Sequence, residues 1–362
     1  MPRLCPKLTT KLESLKKLKQ EFDLELTKVK NPDSKKSNDL IFIRDIKAKL
    51  NQTLQDLQTE LWLKTPELTK ENLEAQYEFQ KNLLLNSGLL KTLSTGELGI
   101  KAIDKQEYPI PTLEQVEENI IDKRELLEAK VNQGFVKLVL VPFGLPVSSL
   151  IDAYDKALME HYQQGELLDA QNKLLNIYKR PDDEEFISDH TGYPEAEAKG
   201  DLVYFPKKFS ANHQGKTKQE LLPTQAWQVL LLEDLPDLPD RDQGKTKAGR
   251  QQPEACQIFK EYLKKLQTDP QYKGEQGLTL ESWLIYGLSC LVQTNQVIDS
   301  RGGPYRGCFL VNSYFKSGHV RLAGGSVPLV GFGRDSKNIV LDSDGSPYPN
   351  SEHSARFAVS VF

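Results

Sequence analysis

The sequence predicts an α+β protein with helices gathered first and strands after. Three observations carry that prediction. Leu8, Leu12, Leu15, Leu18, Phe22, Leu26 and Val29 step by three and four with Lys and Glu between them, the spacing of an amphipathic helix. From Gln133 onward, short apolar runs mix with helical stretches. After Gly303, β-type segments alternate with glycine: GCFLVNSYF, HVRLAG, VPLVGFG, NIVLDSD and ARFAVSVF.

Taken in order, the first helix is broken by the Pro and turn formers of Asn31–Asp39, and Ile43, Ile46, Leu50, Leu54, Leu57 and Leu61 then repeat the pattern. An antiparallel helical hairpin is expected. A third helical stretch runs from Glu67 to Leu93, with Ser94–Gly99 and Glu107–Thr112 as punctuation. Thr112 and Gln115 are spaced to cap a helix holding Val116, Ile120, Leu127 and Val131. These features predict a helical bundle or coiled coil over residues 1–132, suited to homo-oligomer formation. A mixed α/β region with a linker is expected over 133–253. It holds a buried strand at Phe135–Val141, a helix after it, short apolar runs at Asp201–Pro206 and Trp227–Leu235, and a Pro- and Gly-dense loop between Pro236 and Pro253. Residues 254–362 then read as two amphipathic helices followed by a sheet, the second helix opening at Thr279.

Bulk properties exclude several classes. The 362 residues carry a formal net charge of −4, with mean hydropathy −0.52, so no global field favours nucleic acid. No run of about 18 apolar residues exists to span a membrane. The N-terminal 30 residues lack the apolar core of a signal peptide, which points to the cytoplasm; display on a cell surface or virion then needs another route. Cys5, Cys256, Cys290 and Cys308 form no C-x-x-C pair and suit a reducing compartment.

Motifs with a chemical look are incomplete. QGKTK occurs twice, at Gln214–Lys218 and Gln243–Lys247, but the glycine a phosphate loop requires upstream is Ser210 in one copy and Pro239 in the other. Both are expected to be solvated basic loops. The histidines, His161, His190, His213, His319 and His353, include no i, i+4 pair and are expected at the surface. The acidic Pro181–Phe186 reads as a solvated turn. Leu341–Ser346 resembles part of a calcium loop, but position twelve counted from Asp342 is His353. No catalytic residue, metal or cofactor is predicted, and the chain is not expected to be an enzyme.

The C-terminal stretch, under a third of the chain, resembles a known group. GLTLESWLIYGLSCLVQTNQVID, then GCFLVNSYF, a GxVxL strand, GFGRDSKNIVLDSDG and SARFAVSVF are similar to the ligand-binding domain of variable proteins diversified by diversity-generating retroelements. The similarity covers Gly277 to Phe362 and implies a C-type lectin-like fold. It also implies a surface whose residues change at adenine-containing codons. Diversified asparagine-type codons cannot encode Lys, Glu, Gln, Met or Trp, which make up 94 of the 362 residues. The 46 residues from Ser317 to Phe362 hold two of them, Lys337 and Glu352, where the chain average gives about twelve. Calcium-type lectin motifs and the lectin disulfides are absent, so calcium-dependent sugar binding is not implied.

In this reading the last strand is a clamp, with Phe357, Val359 and Val361 turned to the core, while Ile339 and Leu341 point inward from the strand before it. The expected ligand-binding residues are Asn312, Tyr314, His319, Arg321, Arg334, Ser336, Asn338, Val340, Asp342, Asp344, Ser346, Tyr348 and Asn350, with Tyr314, Arg334 and Tyr348 as anchors. The expected partner is a protein, of unassigned identity. The alternative is a structural or assembly protein whose helical region oligomerises and whose tail does not vary.

Overall fold

In the computed structural model the chain forms two compact units, Met1–Lys64 and Thr65–Phe362. The structure describes residues 16, 17, 19–23, 46–49, 53, 65, 68–175, 186–300, 306–316, 325–333 and 338–362. In the first unit the described residues are helical, and most of the leucine-spaced hairpin expected there lies outside them.

The second unit is α+β and begins with a capped helix. Thr69 accepts a hydrogen bond from the Asn72 N–H at the start of α1 (Lys70–Asn86), whose buried face is Leu73, Tyr77, Gln80, Leu83 and Leu84. Strands β1 (Lys91–Thr92), β2 (Leu98–Lys101) and β3 (Glu107–Pro109) follow as an antiparallel meander. The stretch expected to be helical to Leu93 therefore ends its helix at Asn86 and enters β1, and residues read as punctuation supply β3 and the start of β2. Segments of two to four residues are too short to display a period-two pattern.

The capping box predicted at Thr112 and Gln115 is present and opens α2 (Leu113–Asp122). Helix α3 (Arg124–Asn132) leads into β4 (Phe135–Val141), the buried strand expected there. Helix α4 (Val147–Gln164) ends on left-handed Gly165. Next come β5 (Ile187–Asp189), α5 (Tyr193–Lys199), β6 (Leu202–Tyr204), α6 (Lys218–Gln225) and β7 (Gln228–Glu233). The Pro-rich loop contains a short hairpin, β8 (Thr246–Lys247) with β9 (Arg250–Gln251).

Helix α7 (Phe259–Thr268), β10 (Glu275–Gly277) and α8 (Leu280–Thr294) are followed by β11 (Arg306–Phe309), β12 (Ser313–Phe315), β13 (Val327–Gly333), β14 (Asn338–Asp344), β15 (His353–Ser354) and β16 (Phe357–Ser360). Thr279 and Ser282 form the capping box of α8.

Two sheets organise the unit. The first has the order β10–β16–β7–β4 and is antiparallel throughout. Its strands come from both sides of residue 253, and α1 packs against β4. The boundaries expected at 132 and 253 thus both fall inside one compact unit, because backbone pairing joins the segments that composition separates. The second sheet has the order β15–β11–β13–β14–β5.

Strand β16 is interior to the first sheet, with Phe357, Val359 and Val361 all buried as the alternation required; Ala358 is buried too, so both faces are covered. Opposite Phe357 stands Gly277, where a Cβ would lie 2.2 Å from Val311 Cγ2, so only glycine admits this approach of β10 to the Val311 turn. A core of Phe259, Tyr262, Tyr272, Phe309, Val311, Tyr314, Val327, Leu329 and Phe357 fills the space around β16 and α7.

Candidate functional site

Strand β14 sets the geometry of the surface. It lies between β13, antiparallel, and β5, parallel, with Leu341 opposite Val330 and Asp342 opposite Leu329. Ile339 and Leu341 are buried as expected. Beyond Leu341 the strand becomes half-buried, and its continuation returns to pair with β11. Asp342, Ser343, Asp344, Ser346, Tyr348, Asn350, Glu352 and His353, over Leu329, line an open cleft of about 580 Å³. Five of the residues predicted to bind ligand therefore converge on one surface.

Local hydrogen bonds shape this loop. Asp344 accepts from the Ser346 N–H at 2.6 Å, Ser346 Oγ from the Tyr348 N–H at 3.1 Å, and Asn350 Oδ1 from the Glu352 N–H at 2.9 Å. The loop base is tied down from elsewhere. The Cys256 N–H donates to the Asn350 carbonyl at 3.0 Å, and the Tyr262 hydroxyl reaches the Glu254 and His353 carbonyls at 2.5 and 3.3 Å. Strand β15 pairs in parallel with β11, His353 opposite Gly307. A Cβ at Gly307 would meet Leu329 at 2.5 Å and His353 at 3.0 Å, which explains a glycine there. Only the tip is left out in solvent: Tyr348 is 77% exposed.

The other predicted residues divide into two groups. His319, Arg321, Arg334 and Ser336 lie outside the described residues. Asn312, Tyr314 and Val340 are buried, and Asn338 is half-buried, donating its amide to Ser188 Oγ at the seam with β5. Tyr314 belongs to the core: β12 pairs with β6, and Phe209 packs on the Tyr314 ring at 5.7 Å. Strand alternation assigns a face, but a second layer covers that face here. Ser343, Glu352 and His353 line the cleft and were missed, although they sit within the same run of polar turn formers.

His353 corrects the expectation of a surface histidine. It is 6% exposed, its ring stands edge-on to Phe309 at 5.4 Å, and the Asn350 amide is 3.4 Å from its Nε2. Burial pushes its pKa down to about 4, against a smaller opposing pull from Asp342. Histidine is thus neutral in the folded cleft floor, while the unfolded chain takes a proton below about 6.5. The resulting stability is complete above pH 6.5 and is lost as pH falls from 6.5 to 4, on the order of 3 kcal/mol. Urea titrations over this range should show a flatter pH dependence for His353→Gln than for the native chain; parallel slopes would remove His353 from the account.

The first QGKTK copy is also corrected. Thr217 caps α6, and Lys218 is buried, its ammonium paired with Glu197, 2.8 Å from Glu281 and donating to the Leu145 carbonyl at 2.9 Å. Burial disfavours its charge, but Glu281 and Glu197 outweigh that and hold the lysine more basic than usual. A second network joins Arg250 to Glu275 and Glu233, with Lys130 2.5 Å from Glu275. Both are buried joints between distant segments of the chain. Cys308 is buried and Cys290 is pushed up to about 11 by burial, far from a reactive thiolate. Among the described residues, no three His, Cys, Asp or Glu are grouped to hold a metal ion, and no helix is long and apolar enough to cross a membrane.

Compared with family models, curated proteins and solved structures, the chain has no match.

Proposed function

We propose that this chain is a binding protein that presents the Asp342–Glu352 surface to protein targets, on a C-type lectin-like C-terminal fold whose surface positions vary. The observation that supports this reading most directly is the convergence of Asp342, Asp344, Ser346, Tyr348 and Asn350 on one open cleft. Pairing of the last strand with β10, immediately before α8, is consistent with a lectin-like closure. No residue is assigned a chemical step, and no cofactor is assigned.

Two measurements test it. Sequencing the DNA around the coding region should find a near-identical template repeat and a reverse-transcriptase gene, with differences at the codons for the five cleft residues. A repeat whose differences fall on Ile339, Leu341 or Phe357, or no repeat at all, would favour the assembly-protein alternative. Second, Tyr348→Ala should shift stability by less than about 0.5 kcal/mol. In a complex with a target that uses this surface, the same change should cost about 2 kcal/mol or more of binding energy. Calorimetric melting beside titration of a captured target separates the two effects.

A further inference from the structure

We propose that Asp344 and Gly345 form a self-modifying site, at which the folded chain converts its own backbone from an aspartyl to an isoaspartyl linkage. No ligand is needed, so the site stands apart from the binding reading above. Asp344–Gly345 is the one Asp–Gly pair in the sequence, and no Asn–Gly pair occurs. Glycine in the second place lacks the Cβ that would crowd a ring closing on its nitrogen. The fold then holds this pair where closure is open to it. The ladder between β13 and β14 ends with Asp344 opposite Val327, so Gly345 is the first residue beyond it. Among the described residues nothing accepts a hydrogen bond from the Gly345 N–H. Asp344 Oδ1 accepts from the Ser346 N–H at 2.6 Å, which turns the carboxyl back over the Gly345 peptide lying between them.

Asp344, Gly345 and Ser346 are half-buried, and Pro347 and Tyr348 beyond them are exposed, so water reaches the turn. Burial, with a smaller contribution from the charge of Asp342, raises the Asp344 carboxyl above its ordinary value despite the Ser346 hydrogen bond. The protonated carboxyl is the reactive form, because its hydroxyl can leave as water. The step balances without a co-reactant. The Gly345 nitrogen bonds to Asp344 Cγ and gives up its proton, the carboxyl gives up its hydroxyl, and one water departs to leave a succinimide ring. Water then adds at either ring carbonyl. Opening at Cγ restores aspartate. Opening at the main-chain carbonyl leaves the backbone running through Cγ, one carbon longer, with the former main-chain carboxyl as the side group. That change falls at the end of β14 and shortens an acidic group lining the cleft.

The test incubates the full chain in parallel in native buffer and in urea, then digests both and separates the peptides by chromatography with mass detection. Enzymatic methylation of isoaspartyl groups marks the product. From the native sample, the Asp344 peptide should split into two species of equal mass, with a transient third lighter by one water. Asp299–Ser300 supplies the protected comparator. Its carboxylate is fully buried and gripped by Arg356, so it should stay aspartyl in the folded chain and convert only in urea. Asp344→Glu, which would have to close the larger glutarimide ring, should abolish the split, and Gly345→Val should slow it. An Asp344 that converts only in urea, as Asp299 does, overturns the proposal, because the fold then protects the pair. So does a split of this peptide that persists in Asp344→Glu.

Discussion

Replacing Asp299 by alanine is expected to lower stability by about 3–5 kcal/mol, the cost of leaving a buried cation without its partner. Asp299 is fully buried and Arg356 is 5% exposed. The guanidinium grips both carboxylate oxygens, Nε to Oδ2 at 3.0 Å and NH2 to Oδ1 at 2.6 Å, and NH1 donates to the Leu235 carbonyl at 2.8 Å. Trp283 Nε1 also donates to Asp299, at 3.0 Å, and the guanidinium lies 5.3 Å from the centre of the Tyr286 ring. Burial opposes the arginine charge, but Asp299, followed by Tyr286, holds it well above its ordinary basicity.

The pair ties α8, through Trp283 and Tyr286, to the residue that leads into β16. Adding Arg356→Met to Asp299→Ala should recover part of the loss, because no unpaired charge then remains inside. Urea midpoints for the two single variants and the double variant decide the matter. A loss under about 1 kcal/mol for Asp299→Ala, or strictly additive losses in the double variant, would show that the pair does not hold this joint.

What the sequence made legible was local. Thr112 with Gln115 and Thr279 with Ser282 are caps that need only three residues of context, and β4 declared itself as one apolar run. The polar turn formers from Asp342 to Asn350 likewise announced a surface. Partners distant in the chain were not legible. Lys218 sits in a run of polar residues that reads as solvated, and nothing near it signals Glu197 or Glu281. For the same reason β7 and β16 read as belonging to different regions, although they pair side by side. Tyr314 and Val340 show the limit of alternation in a strand. Period two separates the faces, but burial depends on whether a second layer packs outside, and Phe209 supplies such cover for Tyr314.

The clamp itself can be tested at Phe357, where truncation to alanine should cost about 3–5 kcal/mol. Its ring is 2% exposed. It meets Tyr272 edge-on at 5.4 Å and Tyr262 at 6.4 Å, over the backbone of Gly277. Alanine leaves a cavity between α7 and the sheet that neither tyrosine can fill, because the Tyr262 hydroxyl is anchored on the Glu254 carbonyl and the Tyr272 hydroxyl on the Gln251 carbonyl at 2.9 Å. Phe357→Leu keeps most of the apolar volume and should cost less, about 1–2 kcal/mol. The loop that carries the cleft hangs from the same framework, since Tyr262 also reaches the His353 carbonyl. Loss of Phe357 should therefore loosen the cleft and the core together, whereas Tyr348→Ala leaves both in place. Thermal melts of the three variants, with hydrogen exchange at the β15 and β16 amides, read this directly. A melting temperature for Tyr348→Ala as low as that for Phe357→Ala would make the exposed loop part of the core and overturn the proposal that it is a presented surface.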